Sequence, residues 1–179
     1  ESLGVFPVIK LTAADQPLIV YYDALAVSAN LAYPQADTEL APNCGTPTDP
    51  WRCIEIIRQT EDLFTIGDRP GLAVGVEKSY IAFVEEAWGG TEKALHIAEY
   101  VGLDGNCGMD IFRDTYGEIQ QDYRWECNFV QWIDRQPDSV EGLISTVYSL
   151  RVDSLGYPVY TFTFQEIGDT QRYLGVTYP

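Results

Sequence analysis

The chain has 179 residues, 46% of them hydrophobic and 13% aromatic, enough to bury a core and too apolar for a disordered segment. Eleven basic against 27 acidic residues leave a formal net charge of -16, which repels phosphate backbones and anionic lipid and so argues against nucleic-acid and membrane-surface partners. No apolar run approaches the roughly 18 residues that cross a bilayer as a helix, and Glu1 opens the chain without Met or a basic leader, the form of a mature or excised product.

Taken in chain order, residues 7–11 and 18–22 have strand composition, with turn formers Ala14, Asp15 and Gln16 between them, and read as a β-hairpin. A third strand is expected at residues 31–33. A fourth, at 51–57, opens on Trp51-Arg52-Cys53. The same order then returns. Residues 70–74 and 81–84 flank a weaker turn at Glu77, Lys78 and Ser79, residues 95–98 follow, and residues 125–133 open on Trp125-Glu126-Cys127. A third series holds residues 148–152, a turn at 153–157, residues 159–162 and residues 173–176. Residues 92–100 have helical propensity taken alone, but the register of their counterparts favours a strand.

Two landmarks fix one period. Pro7 and Pro70 are 63 residues apart, and so are Cys44 and Cys107. Ten residues separate Pro7, Pro70 and Tyr148 from a second marker, Pro17, Tyr80 and Pro158. Trp51 and Trp125 are 74 apart, which puts an eleven-residue insertion within residues 109–124, expected as a surface loop. The chain therefore divides into units 1–66, 67–137 and 138–179 of one repeat domain.

Four cysteines admit free thiols, a metal site or two disulfides. Their context repeats: Asn43-Cys44-Gly45 precedes Trp51-Arg52-Cys53, and Asn106-Cys107-Gly108 precedes Trp125-Glu126-Cys127. The spacings, eight and nineteen intervening residues, do not suit a four-cysteine zinc site. Local bridges Cys44–Cys53 and Cys107–Cys127 are expected, and with them an extracellular or cell-surface location. No Asn-x-Ser/Thr sequon is present.

Four strands per unit, in the order hairpin, third strand, W-x-C strand, is the pattern of a propeller blade. The chain resembles the tandem propeller-type repeats of secreted bacterial proteins. The likeness is carried by Pro7-Val8-Ile9 with Pro17-Leu18-Ile19-Val20-Tyr21-Tyr22-Asp23, by Tyr148-Ser149-Leu150 with Gly156-Tyr157-Pro158, and by both N-C-G and W-x-C pairs. Glu85-Glu86 departs from Tyr22-Asp23, and the third unit reaches Pro179 without an N-C-G or W-x-C element. The implied fold is all-β and β-propeller-like, about three tandem four-stranded antiparallel blades with the last incomplete, part of a larger closed propeller. The resemblance specifies a repeat and not an activity. Propellers need about four blades or more, so the open ends call for further blades of a parent chain, another polypeptide or a copy of this one. Tyr173, Leu174, Val176 and Tyr178 would form the edge strand that such a partner extends.

The side chains favour binding over catalysis. Sialidase-like chemistry needs an arginine cluster, a tyrosine nucleophile with a glutamate and an acid/base aspartate, and no arginine recurs at one inner-strand position of the three units. His96, the sole histidine, reads as a structural strand residue. Asp104, Asp110, Asp114 and Asp122 lie in or beside the second cysteine loop, and two readings stand for them: a solvated acidic surface, which the spacing favours, or calcium bound by their oxygens. No other cofactor is expected. Trp51 and Trp125 should pack on the bridges, while Trp88, Phe112, Tyr116 and Tyr123 are candidate contacts to a protein or glycan partner. The expected function is an extracellular, non-catalytic binding or assembly subunit. The alternatives are a fragment of a glycan-active enzyme and a structural component of a surface layer or filament.

Overall fold

The structure is a computed structural model that describes residues 4–36, 40–46, 48–58, 64–66, 69–87, 92–135, 143–165 and 173–177. These residues form strands and turns, with no helix among them. Strands β1 (Gly4–Leu11), β2 (Pro17–Asp23), β3 (Ser28–Pro34), β4 (Cys44–Thr46) and β5 (Asp49–Arg58) make the first sheet, in the order β1-β2-β3-β5-β4. The second sheet contains β6 (Phe64–Ile66), β7 (Gly71–Val74), β8 (Ser79–Ala87), β9 (Glu92–Tyr100), β10 (Cys107–Arg113) and β11 (Ile119–Arg135). Its order is β10-β11-β9-β8-β6, with β7 also paired to β8. Strands β12 (Leu143–Val152), β13 (Pro158–Gln165) and β14 (Tyr173–Thr177) form the third sheet in sequence order. Among the described residues all pairings are antiparallel, and no sheet closes on itself.

Residues 92–100 are the strand β9. Its alternation explains why a helix-like composition is stable there: Leu95 and Ile97 pack on one side, Ala98 on the other, so both faces of the strand are covered. The inserted segment is a hairpin and not a loop. Strand β10 pairs with β11 from Cys107–Trp125 out to Arg113–Ile119. Its turn is set by Asp114, whose Oδ1 accepts the backbone N–H groups of Tyr116 and Glu118 at 2.9 Å, and by Gly117 at φ 83°. Asp153 makes the same turn, accepting from Leu155 and Tyr157 at 2.8 and 2.9 Å with Gly156 at φ 89°.

The hairpin register corrects one landmark. Leu11 pairs with Pro17 and Val152 with Pro158, but Val74 pairs with Ser79, because the β7–β8 turn is one residue shorter. Tyr80 therefore corresponds to Leu18 and Val159, and not to Pro17. Since side chains alternate, a one-residue shift changes which face each residue serves. Strand β6, which the unit boundary at residue 66 assigns to the first unit, pairs with β8 of the second sheet. It continues the line of β7 across a break before Pro70, as β1 is interrupted between Val5 and Val8 and β12 between Ser145 and Ser149.

The three sheets stack with the second in the middle. Val20, Ala29, Leu31, Ile54 and Ile56 of the first sheet share one buried cluster with Leu72, Ile81, Phe83, Ala98 and Trp125 of the second. Ala73, Tyr80, Ala82, Val84, Leu95 and Ile97, on the opposite face, share another with Leu150 and Tyr160 of the third. The leading strands lie together, β7 packing against both β1 and β12. Tyr160 is fully buried, and that burial holds its phenol well above the ordinary tyrosine pKa.

Candidate functional site

The cysteine motifs form two matching constructions. Cys44–Cys53 and Cys107–Cys127 are closed disulfides, each with Cα atoms 5.9 Å apart, and no free cysteine remains. The asparagine before each first cysteine substitutes for a strand neighbour. Asn43 Oδ1 accepts from Cys53 N at 2.7 Å, while its Nδ2 donates to Cys53 O at 2.6 Å. Asn106 repeats this on Cys127, at 2.7 and 3.1 Å. The glycine after each cysteine is required by the close approach of the tryptophan, and at Gly45 also by the Asp49 carbonyl oxygen, 2.5 Å from where a Cβ would lie. Gly45 and Gly108 have φ of 83° and 64°, and a Cβ there would lie 2.9 and 2.5 Å from Cδ1 of Trp51 and Trp125. Trp125 is buried, edge-on to Tyr100 with ring centroids 5.3 Å apart, whereas Trp51 is half-buried. Two disulfides point to a non-cytoplasmic protein. Among the described residues no helix is long and apolar enough to cross a membrane.

A polar lock joins the first two sheets. Arg52, between Trp51 and Cys53, places Nη2 3.0 Å from Asp110 Oδ1, and both side chains are buried. The Tyr33 hydroxyl donates to Asp110 Oδ2, the backbone N–H of Ile111 donates to Oδ1 at 2.8 Å, and Arg52 Nη1 donates to Ala41 O at 3.2 Å. Burial first, then the bond to Asp110, raises the Tyr33 phenol pKa against the opposing Arg52 charge. Beside this lock lies a cavity of about 220 Å³ lined by Leu18, Leu31, Ile54 and Trp125 and by the polar side chains of Tyr100 and Arg124. Arg124 sits over the Tyr100 ring at 5.1 Å and the Phe112 ring at 4.3 Å. A wider cleft of about 750 Å³ is bordered by the three turns after β1, β7 and β12, including Thr12, Val76, Lys78, Leu155 and Tyr157.

The outer faces of the stack complete the picture. On the second sheet, Leu72 and Ile81 point to the first sheet and are 1% and 0% exposed; Leu150 and Tyr160 hold these positions in the third and are equally buried. In the first sheet the same positions are Ile9 and the half-buried Ile19, on a face that no sheet covers among the described residues. Ile9 is 59% exposed and its neighbour Leu11 58%. The converse holds at the other end. Ala29 and Leu31, and Leu95 and Ile97, are covered by the next sheet, while their counterparts Leu174 and Val176 are 68% and 52% exposed.

Asp104, Asp110, Asp114 and Asp122 do not converge. Asp110 is committed to Arg52, Asp114 to its turn, and Asp122 Oδ2 accepts from Asp104 N at 3.1 Å. Backbone hydrogen bonding, from Glu118 above all, lowers the Asp114 pKa. Among the described residues no group of three His, Cys, Asp or Glu side chains is placed to hold a metal. His96 stacks on Phe83 with ring centroids 5.4 Å apart, and its Nε2 is 2.9 Å from Glu85 Oε2. Of the aromatic candidates, Tyr116 and Tyr123 are exposed on the inserted hairpin and Phe112 lies under Arg124; Trp88 falls outside the described residues. Tyr173 pairs with Phe164 through its backbone, and Tyr178 also falls outside the described residues.

Sequence reasoning missed Arg52, Tyr33 and Arg124, which carry no recurring signal. It also passed over Asp114-Thr115-Tyr116-Gly117, whose match to Asp153-Ser154-Leu155-Gly156 would have identified the hairpin. No family model matches the chain, and neither a curated protein nor a solved structure matches it.

Proposed function

We propose that the chain is an extracellular, non-catalytic assembly and binding unit built from propeller-type blades, one blade per sheet, whose outer faces are contact surfaces for further blades. The observation that carries this reading is the pair of open faces. Ile9 at one end, and Leu174 and Val176 at the other, are exposed at positions whose counterparts inside the stack are buried, and Leu11 beside Ile9 is exposed where its counterparts Val74 and Val152 are half-buried. An apolar sheet face left in water is unfavourable by about 25 cal/mol for each Å² that a partner would cover. The corresponding turns at Thr12 after β1 and Asp153 after β12, the bridges of the first two sheets and the adjoining leading strands support treating the sheets as one repeated unit. The inserted hairpin, with Tyr116 and Tyr123 exposed, supports a separate contact surface for a protein or glycan.

A tandem fusion of two full chains through a flexible linker tests this reading. Blade packing between the copies predicts one cooperative unfolding transition at a higher temperature than that of the single chain. Two copies that melt independently, at the single-chain temperature, would contradict it.

A further inference from the structure

The two open faces are not interchangeable. Each junction inside the molecule joins the face of one sheet that carries Ala29 and Leu31, or Leu95 and Ile97, to the face of the next that carries Leu72 and Ile81, or Leu150 and Tyr160. Among the described residues, one member of each kind has no sheet packed on it: Leu174 and Val176 on the third sheet, Ile9 and the half-buried Ile19 on the first. These are the two halves of a third junction of the same type, and every copy of the chain carries both.

Resting on the blade reading above, we infer that a second copy of this chain completes the stack head to tail. The third sheet of each copy seats on the first sheet of the other. Like-on-like pairing, third sheet on third or first on first, would use a contact that neither internal junction uses. Closure limits the number of copies. Propellers use about four to eight blades, so two copies of three sheets fall in that range and three copies exceed it. Two such junctions related by a two-fold axis form one self-complementary dimer interface without generating a filament. The charge works against association, since each copy carries -16, so the apolar contact strengthens as salt screens the repulsion.

The probe is the 179-residue chain itself, with its mass followed by light scattering against concentration and salt. The expected species has twice the chain mass of 20.1 kDa, and its population grows with added salt. Ile9→Asp and Leu174→Asp change exposed side chains at opposite ends, so the monomer fold, checked by an unchanged melting curve at low concentration, should persist. Each substitution alone should weaken the dimer by about tenfold or more, because a charge enters an apolar contact. Leu11→Asp and Val176→Asp test the same faces at second positions. Mixing the Ile9→Asp and Leu174→Asp chains leaves one of the two junctions free of both substitutions, and a one-to-one heterodimer should form more readily than either homodimer.

A chain that stays monomeric at all concentrations overturns the inference, even where the tandem fusion shows blade packing. Dimerisation weakened by only one of the two substitutions overturns it as well, because that is the signature of a like-on-like contact.

Discussion

Asn106 binds Cys127 in both directions, its carboxamide taking the backbone N–H at 2.7 Å and giving an N–H to the carbonyl at 3.1 Å. A side chain thereby substitutes for the strand neighbour that the backbone of Cys127 lacks on that side, and Asn43 does the same for Cys53. The bridge and the amide pair act on the same few residues, so the N-C-G and W-x-C elements behave as one fastening. Asn106→Ala and Asn43→Ala should each destabilise the chain by about 1–2 kcal/mol in urea unfolding with both disulfides intact. An unchanged midpoint for both would show that the amide pairs contribute nothing beyond the bridges.

Gly108 and Gly117 separate two reasons for glycine. Both have positive φ, but a Cβ at Gly108 would lie 2.5 Å from the Trp125 ring, whereas nothing lies within 4 Å of one at Gly117. Gly117→Ala should therefore cost about 1 kcal/mol, the backbone term alone. Gly108→Ala should cost clearly more, because the buried indole must move. Equal losses for the two variants in chemical unfolding would contradict the close packing of Trp125.

The Arg52–Asp110 pair is buried, and its members come from different sheets. Removing one partner strands the other charge, so Asp110→Ala should destabilise by about 3–5 kcal/mol, whereas the apolar double replacement Arg52→Met with Asp110→Leu should recover most of that loss. A double variant as unstable as the single one would mean that the pair is indispensable to the junction and not merely expensive to break.

Tyr33, Tyr100 and Tyr160 all have their pKa raised, with burial as the leading cause. The folded chain holds phenolic protons that the unfolded chain releases near the ordinary value of about 10. Stability should therefore be intact below about pH 10 and fall as the pH rises beyond it. The urea midpoint should drop with pH in that range, and tyrosinate absorbance should include a fraction that appears only on unfolding. A midpoint that stays level or rises would contradict the burial of these phenols.

The sequence showed the fold where chemistry repeats. The two N-C-G and W-x-C pairs set the register, located the bridges and correctly made a strand of residues 92–100 against their helical propensity. It failed where one residue was lost or added. The shortened turn before Ser79 moved Tyr80 to the opposite face from that of its assumed counterpart Pro17, and period-2 alternation gives no warning of such a slip. The inserted hairpin was hidden because Asp114 reads in the sequence as one of an acidic group with Asp104, Asp110 and Asp122, and not, with Gly117, as a turn. The Arg52–Asp110–Tyr33 lock was illegible in principle, since Arg52 and Asp110 meet only when two sheets stack.

Three corresponding sheets are stacked, so that one position has a buried version inside and an open version at the end. Introducing aspartate at Ile9, Leu72 and Leu150, and following urea unfolding at concentrations low enough to exclude association, tests this stacking most directly. Leu72→Asp and Leu150→Asp should each lose about 3 kcal/mol or more, because a charge replaces a fully covered leucine, while Ile9→Asp should stay within about 0.5 kcal/mol of the wild type. A loss at Ile9 as large as that at Leu72, or tolerance of aspartate at Leu72 and Leu150, would contradict the stacking on which the account rests.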